Sequence, residues 1–211
     1  NLLVYLVVWR LFGVGAFFFT NSVAPTFKHT PHGTHRYIPD YLDQSKADDL
    51  LAWLSTKVVW HQEKYQMFGR RIRAPRLVAW YGDPGLSYGY SGTIHKGTGW
   101  PEVLAEICAE VKRSFSLESN FVLLNRYRDG SDSMGWHKDD ESELRGPVAS
   151  LSLGATRRFH IREGQNGETL KIDLEHGSLL LLDRQTAHAL PKTKRKLAER
   201  INLTFRHVVG V

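Results

Sequence analysis

His137 and Asp139 stand two residues apart in Gly-Trp-His-Lys-Asp-Asp-Glu, residues 135–141. On an extended backbone, side chains at i and i+2 point the same way, so an imidazole and a carboxylate can take adjacent positions on one metal ion. His188, in Gln-Thr-Ala-His-Ala-Leu-Pro-Lys after the apolar run Ser178–Asp183, offers a third ligand. Two histidines and one carboxylate on one face leave positions open, which suits ferrous iron that must hold a cosubstrate and dioxygen together. Zinc also accepts two histidines and an acid, with water in the fourth position. The spacing therefore leaves the metal open.

The segment Arg200-Ile-Asn-Leu-Thr-Phe-Arg206 narrows the choice. Strand alternation puts Ile201, Leu203 and Phe205 on one face and Arg200, Asn202, Thr204 and Arg206 on the other. Turned into a barrel, the second face forms a pocket for a small dianion held by charge-assisted hydrogen bonds. Asn125 and Tyr127 alternate in the same way on a strand ten residues before His137 and add donors.

These groups must be positioned by the elements around them. The pattern predicts a helix capped by Ser45 and running to about Lys57, with Asp48 in its first turn and Leu50, Leu51, Leu54 and Val58 as its buried stripe. Pro101 opens a second helix, ending near Arg113–Ser116, with Val103, Leu104, Ile107, Val111 and Phe115 on one face and Cys108 in its core. Strands are predicted at Phe121–Tyr127, Val148–Leu153, Arg157–Arg162, Thr169–Leu174, Ser178–Asp183 and Arg200–His207, separated by turns at 128–130, 165–167 and 175–177. Two helices followed by six or more strands imply a mainly β, α+β fold: an antiparallel sandwich or barrel with helices on one face.

Composition sets the outer bounds. The chain has 211 residues, 42% hydrophobic and 24% charged, which excludes disorder and collagen-like structure. One cysteine, Cys108, permits neither an intrachain disulfide nor a cysteine-based zinc site, and points to a reducing compartment. A net charge of +6 mildly favours a polyanionic partner. Residues 1–19 are almost wholly apolar apart from Asn1 and Arg10. They read as a membrane or export segment, an apolar packing segment, or residues outside the natural start of the gene product. Residues 20–33 read as a linker, and the organised domain spans 34–211.

Taken together, the motifs resemble the AlkB family of iron(II)/2-oxoglutarate-dependent dioxygenases. The resemblance runs through NRYRDGSDSMGWHKDDE (125–141), HGSLLLLD (176–183), His188 and ERINLTFRH (199–207). Within the family the chain is most similar to the branch that reverses alkylation damage in DNA, through MFG at 67–69, YGDPGLSYGYSG at 81–92 and KRKLAERINLTFR at 194–206. The resemblance implies a double-stranded β-helix, a jelly-roll barrel related to the cupins. His137, Asp139 and His188 would ligate iron, and Arg200 would pair with the distal carboxylate of 2-oxoglutarate. Asn125, Tyr127, Asn202, Thr204 and Arg206 would complete that pocket. The implied reaction consumes dioxygen and 2-oxoglutarate, releases carbon dioxide and succinate, and removes an N-methyl group as formaldehyde; ascorbate would serve as reductant in assays.

The resemblance also implies a substrate. A target atom inside a duplex is out of reach, so the base is flipped or already single-stranded. Tyr90 and His137 would hold the flipped base, with Tyr88 and Ser91 nearby. Glu141 would face a cationic base such as 1-methyladenine or 3-methylcytosine, which a carboxylate favours over the neutral base. Phe68 matches a wedge pushed into the gap, on a loop rich in arginine. Arg70, Arg71, Arg73 and Arg76, with Lys192, Lys194, Arg195 and Lys196, would contact phosphates. The expected partner is N-alkylated DNA, single- or double-stranded, with RNA or methylated protein as the alternative substrate. The expected protein is an intracellular monomer of cytoplasm, nucleoid or nucleus with no obligate protein partner. A non-catalytic nucleic-acid-binding module is disfavoured by the intact triad and arginine pair.

Overall fold

The computed structural model describes residues 35–67, 69–90, 93–163 and 167–209. The apolar segment and linker at 1–33 lie outside the described residues. In chain order the elements are β1 (His35–Ile38), α1 (Gln44–Lys57), β2 (Lys64–Met67), β3 (Arg70–Arg73), β4 (Leu77–Gly82), β5 (Ser87–Tyr90), β6 (Thr93–Lys96) and α2 (Glu102–Phe115). They continue with β7 (Phe121–Tyr127), β8 (Met134–His137), β9 (Leu144–Gly154), β10 (Arg157–Glu163), β11 (Glu168–Leu174), β12 (Leu179–Leu182), β13 (His188–Leu190) and β14 (Arg200–Val208).

Two antiparallel sheets dominate. The larger runs β1-β12-β9-β14-β7-β4 and the smaller β11-β10-β13-β8, while β2–β3 and β5–β6 form separate hairpins. No ladder joins the large and small sheets among the described residues. The described residues are thus mainly β, with two helices. The predicted order of helices first and strands afterwards needs correction, because β1 precedes α1 and β2–β6 lie between the helices. Those strands are short and rich in Arg, Gly and Tyr, so they carry little of the alternation that marks a half-buried strand.

The two faces of the large sheet differ: the outer is apolar, and the inner is apolar only in part. On its outer face Leu151, Leu153, Ile201, Leu203 and Phe205 pack with Leu50 and Leu54 of α1 and Leu104, Cys108 and Val111 of α2. Each such side chain, fully buried, contributes about 1.5–3 kcal/mol. On its inner face Val148, Leu180 and Leu182 meet Ile161 and Leu174 of the small sheet. Helix α1 begins earlier than predicted: Asp43, not Ser45, is the cap, its Oδ1 accepting from Lys46 N at 2.9 Å. Helix α2 follows Pro101 and stops where Ser116 turns left-handed at φ 52°.

Two irregularities aim site residues. Across β8–β13, His137 faces His188 but Met134 faces Leu190, so β8 carries one extra residue beside His137. Across β9–β14, Phe205 faces Ala149 and His207 faces Arg145, which bulges β9 opposite Arg206; Gly146 supplies the positive φ of 67° there. Bulges of this kind bend a strand and redirect its side chains.

Candidate active site

The cavity lies between the inner faces of the two sheets, with β8 and β13 on one side and β7, β9, β12 and β14 on the other. His137, Asp139 and His188 offer ligand atoms that all lie within 4.8 Å of one another. The two imidazoles are directly paired across β8–β13, with ring centroids 4.1 Å apart. Each has its tautomer fixed. His137 Nδ1 is 2.9 Å from the Gly135 carbonyl and His188 Nδ1 is 2.8 Å from the Thr186 carbonyl. A carbonyl only accepts, so both Nδ1 atoms carry hydrogen and both Nε2 lone pairs are available to a metal. Burial first, and then the neighbouring His188, lower the His137 pKa to about 4, which keeps its ring neutral. Asp139 follows the strand, its N–H bonded to Arg184 O at 3.0 Å. Its Oδ1 accepts from Arg206 Nη2 at 2.7 Å, while Oδ2 lies 3.8 Å from His188 Nε2.

The opposite end of the cavity is cationic. Arg200 is 2% exposed, and its Nη2 donates to Ser152 Oγ at 2.8 Å. Its Nε is buried with no partner, and it makes no ion pair among the described residues. Burial lowers its pKa to about 10. The Tyr127 ring lies 5.4 Å from its guanidinium carbon. A buried guanidinium with an unused donor and no carboxylate calls for an anionic ligand. Opposed to three metal ligands, it fits a dicarboxylate that binds iron at one end and Arg200 at the other.

A profile of the 2OG-Fe(II) oxygenase superfamily matches residues 34–206. The chain belongs to this superfamily. It is an AlkB homologue and an Fe(II)/2-oxoglutarate-dependent dioxygenase. It is 35% identical over 207 residues to human DNA oxidative demethylase ALKBH2, covering 90% of this chain and 79% of that protein. To human alpha-ketoglutarate-dependent dioxygenase alkB homolog 3 it is 37% identical over 197 residues, covering 85% and 68%. Among solved structures, OsALKBH1 superposes with a TM-score of 0.62 at 19% identity, over 86% of this chain and all of that one. A 2OG-Fe(II) oxygenase-family oxidoreductase from Burkholderia pseudomallei superposes at 0.58 with 12% identity, over 83% and 85%. Those two likenesses concern the fold alone.

The AlkB-family site places the predicted residues unevenly. Asn125, Tyr127, Arg200, Asn202, Thr204 and Arg206 all line the cavity with the triad. Asn202, however, spends both amide hydrogens on Ser150 Oγ (2.7 Å) and Leu151 O (3.0 Å), and its oxygen accepts from Thr204 Oγ1. Arg206 is committed to Asp139 and to the Tyr88 hydroxyl. Tyr88 is fully buried, with Phe121 edge-on at 5.2 Å. Glu141 is half-buried; burial raises its pKa, against the charge of Arg206 and a hydrogen bond with Tyr88. Arg76 also departs from expectation: it is 5% exposed and donates to Asn125 Oδ1 at 2.9 Å, so it faces the cavity wall and not solvent.

Arg73, Lys192, Lys194, Arg195 and Lys196 are exposed. Phe68 and Ser91 lie outside the described residues, as do the side chains of Arg70, Arg71 and Tyr90. No helix among the described residues is long and apolar enough to cross a membrane. Sequence reasoning missed Ser150 and Ser152, although the alternation of β9 puts them on the Val148 face. It also missed Arg157, whose buried guanidinium donates to the carbonyls of Asp129, Asp132 and Pro191. That residue ties the turn before β8 to the end of β13, the two strands carrying the histidines.

Proposed function

We propose that this dioxygenase demethylates N-alkylated bases in DNA, with 1-methyladenine and 3-methylcytosine as substrates, and so repairs alkylation damage. The observation that carries the reading is the pairing of a tautomer-fixed His/Asp/His set with the anion-seeking Arg200, in a chain 35% identical to a DNA oxidative demethylase over 90% of its length. In this reading the two sheets are the halves of a double-stranded β-helix within a domain at 34–211. His137, Asp139 and His188 hold iron(II); Arg200, Tyr127 and Asn125 hold 2-oxoglutarate, with Asn202, Thr204 and Arg206 shaping the wall. A metal held by these three residues would supply the oxidation, by dioxygen and 2-oxoglutarate, that frees the methyl group as formaldehyde with carbon dioxide and succinate.

The chain's own residues do the rest. The base stacks between Tyr90 and His137 with Ser91 beside it, while Tyr88 holds Glu141 from beneath. The Glu141 carboxylate selects the cationic methylated base over its neutral parent. Phe68 fills the gap left in a duplex, and the exposed Arg73, Lys192, Lys194, Arg195 and Lys196, with Arg70 and Arg71, hold phosphates. The protein acts as an intracellular monomer.

The test is release of formaldehyde and succinate from an oligonucleotide carrying one 1-methyladenine, with iron(II), 2-oxoglutarate, ascorbate and air, against His137→Ala. Equal release of both from DNA is expected. Release from the RNA oligonucleotide of the same sequence, with none from DNA, would move the substrate to RNA. Succinate without formaldehyde from either would remove nucleic acid as the target.

A further inference from the structure

Asn125 and Asn202 face each other across the β7–β14 ladder, both on the cavity wall. The two amides are not equivalent. The hydrogens of Asn202 are spent on Ser150 and Leu151. Asn125 instead has its oxygen engaged, by Arg76 Nε at 2.9 Å. A guanidinium carries five donors and no acceptor. Only Oδ1 can therefore face Arg76, and the amide is locked with Nδ2 on the other side. Of the facing pair, Asn125 is the one whose NH2 is directed by a buried cation.

Arg76 is held firmly for this task. It lies one residue before β4, where the Pro75 carbonyl accepts from Ser133 N at 2.9 Å and Ala74 N donates to the Glu63 carbonyl at 2.8 Å. Its charge acts on the half-buried Glu63, whose Oε1 lies 3.4 Å from His95 Nε2. His95 is the cross-strand partner of Tyr88, which bonds Arg206 and through it Asp139. Buried polar groups thus stand on both sides of Arg76, in the segment leading into the β2–β3 hairpin and on the β5–β6 hairpin.

We propose that Arg76 is a positioning residue for the cosubstrate: it orients Asn125 so that its NH2 donates to a carboxylate oxygen of 2-oxoglutarate. This rests on reading the cavity as the 2-oxoglutarate site. Without Arg76 the amide can turn over and set its oxygen against the carboxylate. A phosphate-binding role for Arg76 is the opposing reading, and the two separate cleanly.

The full chain is loaded with manganese(II) in place of iron, so that no turnover occurs, and 2-oxoglutarate is titrated by calorimetry. Affinity for a duplex oligonucleotide is measured in parallel over a range of salt, with the melting temperature of each variant recorded. Arg76→Met weakens 2-oxoglutarate about tenfold, the scale of one hydrogen bond to a charged group, and leaves the duplex affinity and its salt slope unchanged. Arg76→Lys, which keeps a donor, recovers part of the loss. Asn125→Asp keeps the partner of Arg76, and with it the melting temperature, yet puts an oxygen where the NH2 stood; it weakens 2-oxoglutarate more than tenfold. That variant carries the test should Arg76→Met fail to fold. Unchanged 2-oxoglutarate affinity in Arg76→Met, with a smaller duplex salt slope, overturns the proposal and restores the phosphate contact. If Asn125→Ala and Asn125→Asp also leave 2-oxoglutarate affinity unchanged, the cavity reading falls with it; if they weaken it, only the role of Arg76 falls.

Discussion

The two ends of strand β14 carry chemically identical side chains in opposite conditions. Arg200 and Arg206 are 2% and 3% exposed, on the same face of one strand. Arg206 has a carboxylate at 2.7 Å, in Asp139, and a phenol besides. Arg200 has a serine hydroxyl, an aromatic face and an unused Nε, and no acid. A buried cation with its counter-charge is part of the framework, whereas one without it is a binding site whose desolvation is offset only when an anion arrives. The metal end is therefore organised in advance by the protein, and the cosubstrate end is organised around a charge that the ligand must complete.

Removing each arginine should act on different quantities. Arg200→Met takes away the charge proposed to answer the distal carboxylate of 2-oxoglutarate. The cost of unpairing a buried ionic contact, about 3 kcal/mol, translates to more than a hundredfold in 2-oxoglutarate affinity. Calorimetry checks this, and a loss under fivefold would break the contrast. Arg206→Met should weaken the metal about 10- to 100-fold, because the carboxylate that ligates it loses its orienting donor. Metal titration of the apo protein reads this directly, and 2-oxoglutarate affinity at saturating metal should move much less.

Phe68→Ala tests the wedge proposed for the nucleic-acid side. It should slow repair of duplex about tenfold and leave single strands nearly unaffected, since only a duplex leaves a gap to fill. Equal loss on both substrates would remove the wedge role. The smallest effect concerns pH. The His137 pKa of about 4 in the folded protein lies below its ordinary value of about 6.5. Its contribution to stability is thus complete above about pH 6.5 and is lost as pH falls toward 4. Melting temperatures of the apo protein across that window should decline, and less so in His137→Gln; identical slopes would contradict the buried neutral imidazole.

Much of the contrast was legible in the sequence. Period-two alternation placed Arg200, Asn202, Thr204 and Arg206 on one face of β14, and Asn125 and Tyr127 on one face of β7, because a strand between a helical layer and a cavity has no other way to divide its side chains. Alternation says nothing about who satisfies whom. That Asn202 bonds into the sheet while Asn125 is set by Arg76 depends on register between β14, β9 and β7, which no local pattern encodes. Arg76 was grouped with Arg70, Arg71 and Arg73 by proximity in sequence, yet it stands beyond Pro75 at the entry to β4 and turns inward. Tyr88 lies in a run of aromatics and glycines with no clear period, and it is pairing with β6 and packing on Phe121 that bury it. Arg157 left no signal at all, since its partners are backbone carbonyls from two segments distant in sequence, the turn before β8 and the end of β13.

The most direct test of the division between the two ends is the melting temperature of the metal-free Arg200→Met and Arg206→Met variants, each with and without 2-oxoglutarate and manganese(II). The account predicts opposite signs. Arg200→Met, which removes an uncompensated buried charge, should melt at or above the parent and gain nothing from 2-oxoglutarate. Arg206→Met, which strands the Asp139 carboxylate at 3% exposure, should melt lower and recover in part when metal neutralises it. Equal destabilisation of both, or stabilisation of Arg200→Met by 2-oxoglutarate as large as the parent's, would contradict it.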